Sequence, residues 1–492
     1  MNAAEITPAL RALLTACVMM ATIMQALDTT IANVALPYMQ GSLSTTQDQV
    51  NWVLTSYIVA AAIMTSPLGW MATRFGRKKL FIVCAGGFTV ASMLCGVAQT
   101  IEQMVGFRLL QGVFGAALVP LSQAVMLGPI MGPTLGGWLT DNYTWRWVFF
   151  VNLPFGVLTV LGLGLFMRET PTRGDVPFSW FGFLTLSLGI GALQMMLDRG
   201  QEQNWFQSNE IIVEAILSGC GFYFFLADAL TSERPFIPLR IFRDWNFSIA
   251  LIFMFIIGII LLATMALVTP YIQNLMGYPV LASGYLLGTR GIGTFFAMMV
   301  VGRLISKFDP RLLVFCGLTL ATYTLYEMVG WTPEVPARTV AIVSIGQGVG
   351  LGLVFVPLNT IAFATLAPQV RTDGAALWTL IRNLGSSVGI SLMIASLTNS
   401  ITTYHSQLAE FINPFNVGLS MPDVAGKLST VGRGLASIEA LVSQQAAVIA
   451  YSNAFLTMTF VSLAAFPLLA LIRGAKRAGP PSAEDAAHAV MD

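Results

Sequence analysis

The chain has 492 residues, 55% of them hydrophobic and only 10% charged, with a mean hydropathy of +0.74. Soluble domains carry about 25% charged residues, so the composition excludes a soluble globular protein and points to an all-α polytopic membrane protein. A net charge of +1 excludes a nucleic-acid partner, and two histidines, five cysteines with no CxxC spacing and no GxxxxGK[ST] loop argue against zinc chemistry, disulfides and ATP-driven pumping.

A bilayer crossing needs about 20 apolar residues. Such runs are expected at 12–36, 51–72, 80–99, 104–127, 128–140 (short), 147–167, 178–197, 211–230, 247–269, 281–305, 312–330, 339–366, 374–397 and 448–472. The first is too long for a signal peptide and is read as a retained helix. It contains Leu27-Asp28-Thr-Thr-Ile-Ala-Asn33-Val-Ala-Leu-Pro37. An ionised carboxylate in hydrocarbon is costly, so Asp28 is either a proton carrier facing a cavity or a residue near the interface, bonded to Thr29 or Asn33.

The turn after the second run, Gly69-Trp-Met-Ala-Thr-Arg74-Phe-Gly76-Arg77-Lys78-Lys79, is the densest cluster of positive charge. Its frame recurs about half a chain later as Gly302-Arg-Leu-Ile-Ser-Lys307-Phe308-Asp-Pro-Arg311, so the chain is read as internally duplicated. Arg74, Arg77 and Lys78 are either topology anchors, as Lys79 is read, or parts of a latch. In the latch reading, glycine brings the turn against a helix end, where bases meet a carboxylate or terminal carbonyls.

Arg108 opens Arg-Leu-Leu-Gln111-Gly112 in the fourth run. It is either a snorkelling arginine at a helix end or a buried one needing a partner such as Asp28. Gly128-Pro129-Ile-Met-Gly132-Pro133-Thr-Leu-Gly136-Gly137 follows, with small residues at four-residue spacing for close packing and prolines for a bend. Pro120 to Gly128 corresponds to Pro357 to Gly385 in the second half, so a stretch of about 20 residues, one crossing's length, is missing from the first. The fifth segment is therefore expected at 128–140, short or partly re-entrant.

With the N-terminus inside, the basic residues at 74–79, 168–173, 234–243, 307–311, 371 and 473–477 fall on one side. They outnumber Arg146, Arg199, Arg338, Lys427 and Arg433 on the other, which places both termini in the cytoplasm. Asp228 and Glu327 lie near span ends, and Arg290 and Arg382 are cavity or interface residues. The expected organisation is a first bundle at 1–175, an inserted helix pair at 176–232, and a second bundle at 233–472 with a long hydrophilic loop at 398–447. A disordered tail at 473–492 follows.

These motifs resemble the Major Facilitator Superfamily, in its fourteen-helix drug:proton antiporter branch, and the EmrB-like multidrug exporters within it. The first-helix, loop, fourth-helix and glycine-proline motifs carry the resemblance, together with Leu193-Gln-Met-Met-Leu-Asp198-Arg199-Gly200 and Asn413-Pro-Phe-Asn416. It implies two pseudo-symmetric six-helix bundles plus two central helices, about fourteen segments with the fifth shortened. It also implies alternating access in the bacterial inner membrane, driven by a proton gradient without a cofactor. Asp28 and Arg108 would couple protons, and Asn33, Gln111 and Gln123 would line the cavity for small hydrophobic substrates. A periplasmic membrane-fusion adaptor and an outer-membrane channel are the implied partners. Thr73 stands where the loop motif usually has an acid, which implies a weaker latch. A dedicated metabolite or organic-acid exporter, or a transport-inactive remnant, are the alternatives.

Overall fold

A computed structural model describes residues 8–45, 47–118, 138–139, 142–167, 169, 178–201, 203–232, 235–367, 370–412 and 433–473. Among them there is helix and no strand, as expected where lipid offers the backbone no hydrogen bonds and each segment must satisfy its own.

The first half contains α1 (Pro8–Ser42), α2 (Gln47–Thr65), α3 (Leu68–Phe75), α4 (Arg77–Val97), α5 (Ile101–Gly115), α6 (Trp147–Phe150) and α7 (Asn152–Phe166). An inserted pair follows, α8 (Trp180–Arg199) and α9 (Asn209–Thr231). The second half contains α10 (Trp245–Pro270), α11 (Val280–Leu304), α12 (Pro310–Val329), α13 (Ala337–Ala364), α14 (Arg371–Ala409), α15 (Arg433–Leu463) and α16 (Phe466–Leu471). Local chemistry sets several starts. The Thr100 side chain accepts from the Gln103 amide at α5, Asp244 caps α10 through Phe247, and Asp309 with Pro310 begins α12.

Ten of the described helical segments are long and apolar enough to cross a membrane, or eleven if α2 and α3, bent by 58°, form one span. The fourteen expected crossings are therefore not all reached within the described residues. Of the short fifth segment expected at 128–140, only Trp138 and Leu139 are described. Within the hydrophilic stretch expected at 398–447, α14 and α15 carry helix in from both sides.

In the first half α5 packs on α2 and α4, and α7 packs on α4 and α1. In the second, α13 packs on α11 and α12, while α14 packs on α10 and α15. The inserted pair pack on each other, and α8 also touches α2 and α14, so it borders both halves. A large apolar cluster around Phe247, Phe253, Ile257, Leu358 and Phe455 fills the second half. Smaller ones around Phe81 and Phe88, and around Met39 and Phe149, fill the first.

Candidate functional site

The site begins with a close approach of two helices. A β-carbon on Gly112 would meet the Tyr57 carbonyl oxygen and would stand 2.8 Å from the Ala60 β-carbon. Only glycine lets α5 lie this tightly on α2. One turn away on α5, Arg108 is thereby carried into the bundle with no exposed surface. It is not a snorkelling residue.

Asp28 of α1 is equally buried. Arg108 Nη1 stands 2.5 Å from Asp28 Oδ2, and Arg108 Nε donates to the Val53 carbonyl at 2.9 Å. The guanidinium lies 4.6 Å from the Tyr57 ring centroid and 5.7 Å from that of Phe149, where the ring faces add attraction for a cation.

Gln111 joins the pair. Its Oε1 accepts from Arg108 Nη1 at 2.7 Å, and its Nε2 donates to Asp28 Oδ1 at 2.8 Å. One amide thus serves both partners, which fixes its orientation. From α7, Asn152 Nδ2 donates to Asp28 Oδ1 at 3.2 Å and to Ser92 Oγ of α4 at 2.9 Å. Asp28 thus sits among α1, α5 and α7, in a set of charges whose gain depends on every partner being present. Removing one partner of such a buried pair leaves an uncompensated charge and costs about 3–5 kcal/mol.

The residues expected here are placed unevenly. Asp28 and Arg108 meet. Gln111, expected to line a substrate cavity, is fully buried and bonds both members of the charge pair. Asn33 belongs to α1, and its side chain lies outside the described residues, as do Gln123, Gly128, Pro129, Gly132, Pro133, Gly136 and Gly137. Asn152, Ser92 and Tyr57 escape sequence reasoning. Uncharged polar residues are common in membrane helices, and only adjacency in three dimensions gives these three a role.

The basic turn touches the second half through its glycine. The Asp373 carboxylate of α14 stands where a side chain on Gly69 would project. The acid missing at Thr73 thus has a counterpart at this turn, supplied from about 300 residues away in the chain by helix packing that brings α3 to α14. Thr73 itself donates to the Gly69 carbonyl at 2.9 Å. Gly76 has φ 87°, a conformation glycine adopts without strain, and it turns the chain from α3 into α4. Arg74 and Arg77 are exposed. Lys78 Nζ donates to the Gly164 carbonyl near the end of α7 at 2.8 Å, where a cation complements the helix dipole.

A second polar seam lies at the Arg199 end of α8. Gln194 Nε2 donates to Asp198 Oδ1 at 3.1 Å, and Ser391 of α14 donates to the Leu197 carbonyl. Arg199 pairs with Glu210 of α9 and lies 5.7 Å from the Trp52 ring centroid on α2. No group of three or more His, Cys, Asp or Glu residues able to hold a metal occurs among the described residues.

A family model described as Major Facilitator Superfamily matches residues 18–127 and 124–390. The chain is 35% identical over 428 residues to the multidrug export protein EmrB of Haemophilus influenzae, covering 82% of this chain and 84% of that protein. It is 32% identical over 481 residues to the fatty acid resistance protein FarB of Neisseria gonorrhoeae, covering 92% and 94%. Among solved structures, a bacterial homolog of the human lysosomal transporter Spinster, inward-facing and unoccupied, superposes with a TM-score of 0.56 at 17% identity, covering 96% of this chain and 99% of that one. That likeness concerns the fold.

Proposed function

This chain belongs to the Major Facilitator Superfamily, a family of multi-pass membrane transporters rather than enzymes, and on that premise we propose that it exports lipophilic toxic compounds in exchange for protons. The observation that carries the reading is the fully buried Asp28–Arg108 pair bridged by Gln111.

With Asp28 ionised, the guanidinium is neutralised and the network is complete. A proton taken by Asp28 removes the countercharge and leaves Arg108 as an unpaired cation in a medium of low dielectric. That state is relieved by moving α5 relative to α1, which opens the bundle differently to the two sides. The device is a bistable pair biased by one proton. Cargo that competes with the proton for one of the two states is thereby exchanged for it.

EmrB of Haemophilus influenzae, named a multidrug export protein, supports a drug cargo. We place the chain in the bacterial inner membrane with both termini cytoplasmic, on the charge asymmetry of its loops. α14 has 39 residues, about 60 Å at 1.5 Å per residue, against a hydrocarbon core of about 30 Å. Its far end pairs with α15 through His405 Nε2 and Glu439 Oε1 at 2.7 Å. This projecting hairpin is the surface we assign to a membrane-fusion adaptor that leads to an outer-membrane channel.

The test is drug-evoked proton release from the purified chain in proteoliposomes, beside Asp28→Asn. Release by the unmodified chain and none by the variant is the expected result. Equal release from both would remove Asp28 as the carrier, and release from neither folded protein would reject antiport.

A further inference from the structure

Two intramembrane cations are not used by this mechanism. Arg290 lies near the middle of α11 and is 8% exposed. Arg382 lies well inside the span Asp373–Ala409 of α14 and is partly buried. Neither is at a helix end, so neither reaches the interface by snorkelling.

Their bonding is sparse. Arg290 Nη2 donates to the Leu261 carbonyl of α10 at 3.0 Å, and Arg382 Nη2 donates to its neighbour Asn383 Oδ1 at 3.3 Å. A guanidinium has five N–H donors in a planar fork. Among the described residues the carboxylate ion pairs are Arg108–Asp28, Arg199–Glu210 and His405–Glu439, so neither arginine has an anionic partner there. Beyond these two bonds, neither guanidinium makes a hydrogen bond to another described residue, so most of their donors are left for a ligand to satisfy.

Both residues border one turn of α10, Arg290 through its side chain and Arg382 through its backbone. The Arg382 carbonyl stands where a side chain on Gly258 would project, and Ser386 Oγ donates to the Gly258 carbonyl at 3.0 Å. On the other side α11 packs on α13 rather than closely on α10, and the Arg290 side chain reaches across to Leu261, within one turn of Gly258. From Trp245 to Pro270, α10 carries no ionisable residue. Nothing on this helix neutralises either guanidinium, while its apolar surface suits a lipophilic body.

We infer that Arg290 and Arg382 form an anion-recognition site in the second half, seating the carboxylate of a lipophilic acid against α10. This deepens the export reading and rests on it for the role of the ligand as cargo. Charge would be read in the second half and protons handled in the first.

The test is binding of radiolabelled dodecanoate to the full chain in phosphatidylcholine nanodiscs, against dodecanol and dodecyltrimethylammonium of equal chain length. Dodecanoate is expected to bind saturably and at least about tenfold more tightly than either, as charge-assisted bonds to a fork of donors require. Arg290→Gln and Arg382→Gln are each expected to weaken dodecanoate by about tenfold while leaving dodecanol unchanged, and the Lys variants to restore part of the loss. Binding that ignores head-group charge overturns the inference on the unmodified chain alone, whether or not a variant folds. Competition by added phosphatidylglycerol also overturns it, because the site then holds a lipid headgroup and not cargo. Proton release evoked by a neutral drug without dodecanoate binding would reject the anion site and leave the exporter standing. Dodecanoate binding without proton release would do the reverse.

Discussion

Gly69 at the start of the basic turn and Asp373 at the start of α14 are in direct contact, the carboxylate filling the space that a side chain at 69 would need. The corresponding glycine of the duplicated frame, Gly302, has no described residue within 4 Å of that position. The two copies of the frame are therefore unequal. In this conformation only the first copy's glycine is met by a described side chain of the other half.

Gly69→Val should force α3 and α14 apart. The expected outcome is a folded protein whose drug transport falls about tenfold or more, since overpacking a close contact costs about 1–3 kcal/mol and 1.4 kcal/mol is one decade. Gly302→Val should leave transport within about twofold, because the space beside it is open. Paired efflux assays in cells check this, and equal losses from the two substitutions would count against the latch.

Arg108→Leu should destabilise strongly, by about 3–5 kcal/mol, because it leaves Asp28 buried without its cation. The double change Asp28→Leu with Arg108→Leu should recover most of that loss, since replacing both members of a buried pair by apolar side chains is often neutral. Thermal unfolding in detergent compares the single and double variants. Both should be inactive in exchange, which separates stability from coupling.

Gln111→Leu removes the amide that bonds Arg108 and Asp28 together, and a loss of about 1–3 kcal/mol is expected from the unpaired groups. Asn152→Ala should cost less, because its bond to Asp28 is longer at 3.2 Å. If Gln111 were instead a cavity residue, Gln111→Leu would alter drug affinity and leave the proton-release curve in place. Titrating drug and proton release on the same preparation distinguishes the two roles.

Lys78→Gln loses a bond to a helix-end carbonyl at an exposed site, worth about 0.3–1 kcal/mol. The melting temperature should hardly move. An efflux loss well beyond that stability change would give Lys78 a part in rocking, while unchanged efflux would mark it as an anchor. Lys78→Arg should behave as the unmodified chain in either case.

Helix positions were legible in the sequence because a bilayer crossing is a local property. About 20 apolar residues suffice, and the observed α4, α8, α9, α12 and α13 fall close to the runs read at 80–99, 178–197, 211–230, 312–330 and 339–366. The intramembrane ions were equally visible, since a charge in an apolar run stands out whatever surrounds it. The extent of α14 was not, because its polar end past residue 397 stays helical by its own backbone bonds after hydropathy stops marking it.

Partner identity is where sequence stopped. It offered Arg108 as one candidate for Asp28, beside an interface position bonded to Thr29 or Asn33, and gave no sign of Asn152, which lies 124 residues from Asp28. In lipid both faces of a helix are apolar, so periodicity does not say which side chain points at which neighbour. The acid that meets Gly69 was sought four residues away at Thr73 and stands instead at Asp373, on another helix. Sequence by itself determined a membrane-embedded helical transporter and the residues that are costly to bury. Tertiary packing decided which of them neutralise one another, because the electrostatic cost of a buried charge is set by the few ångströms around it and not by its place in the chain.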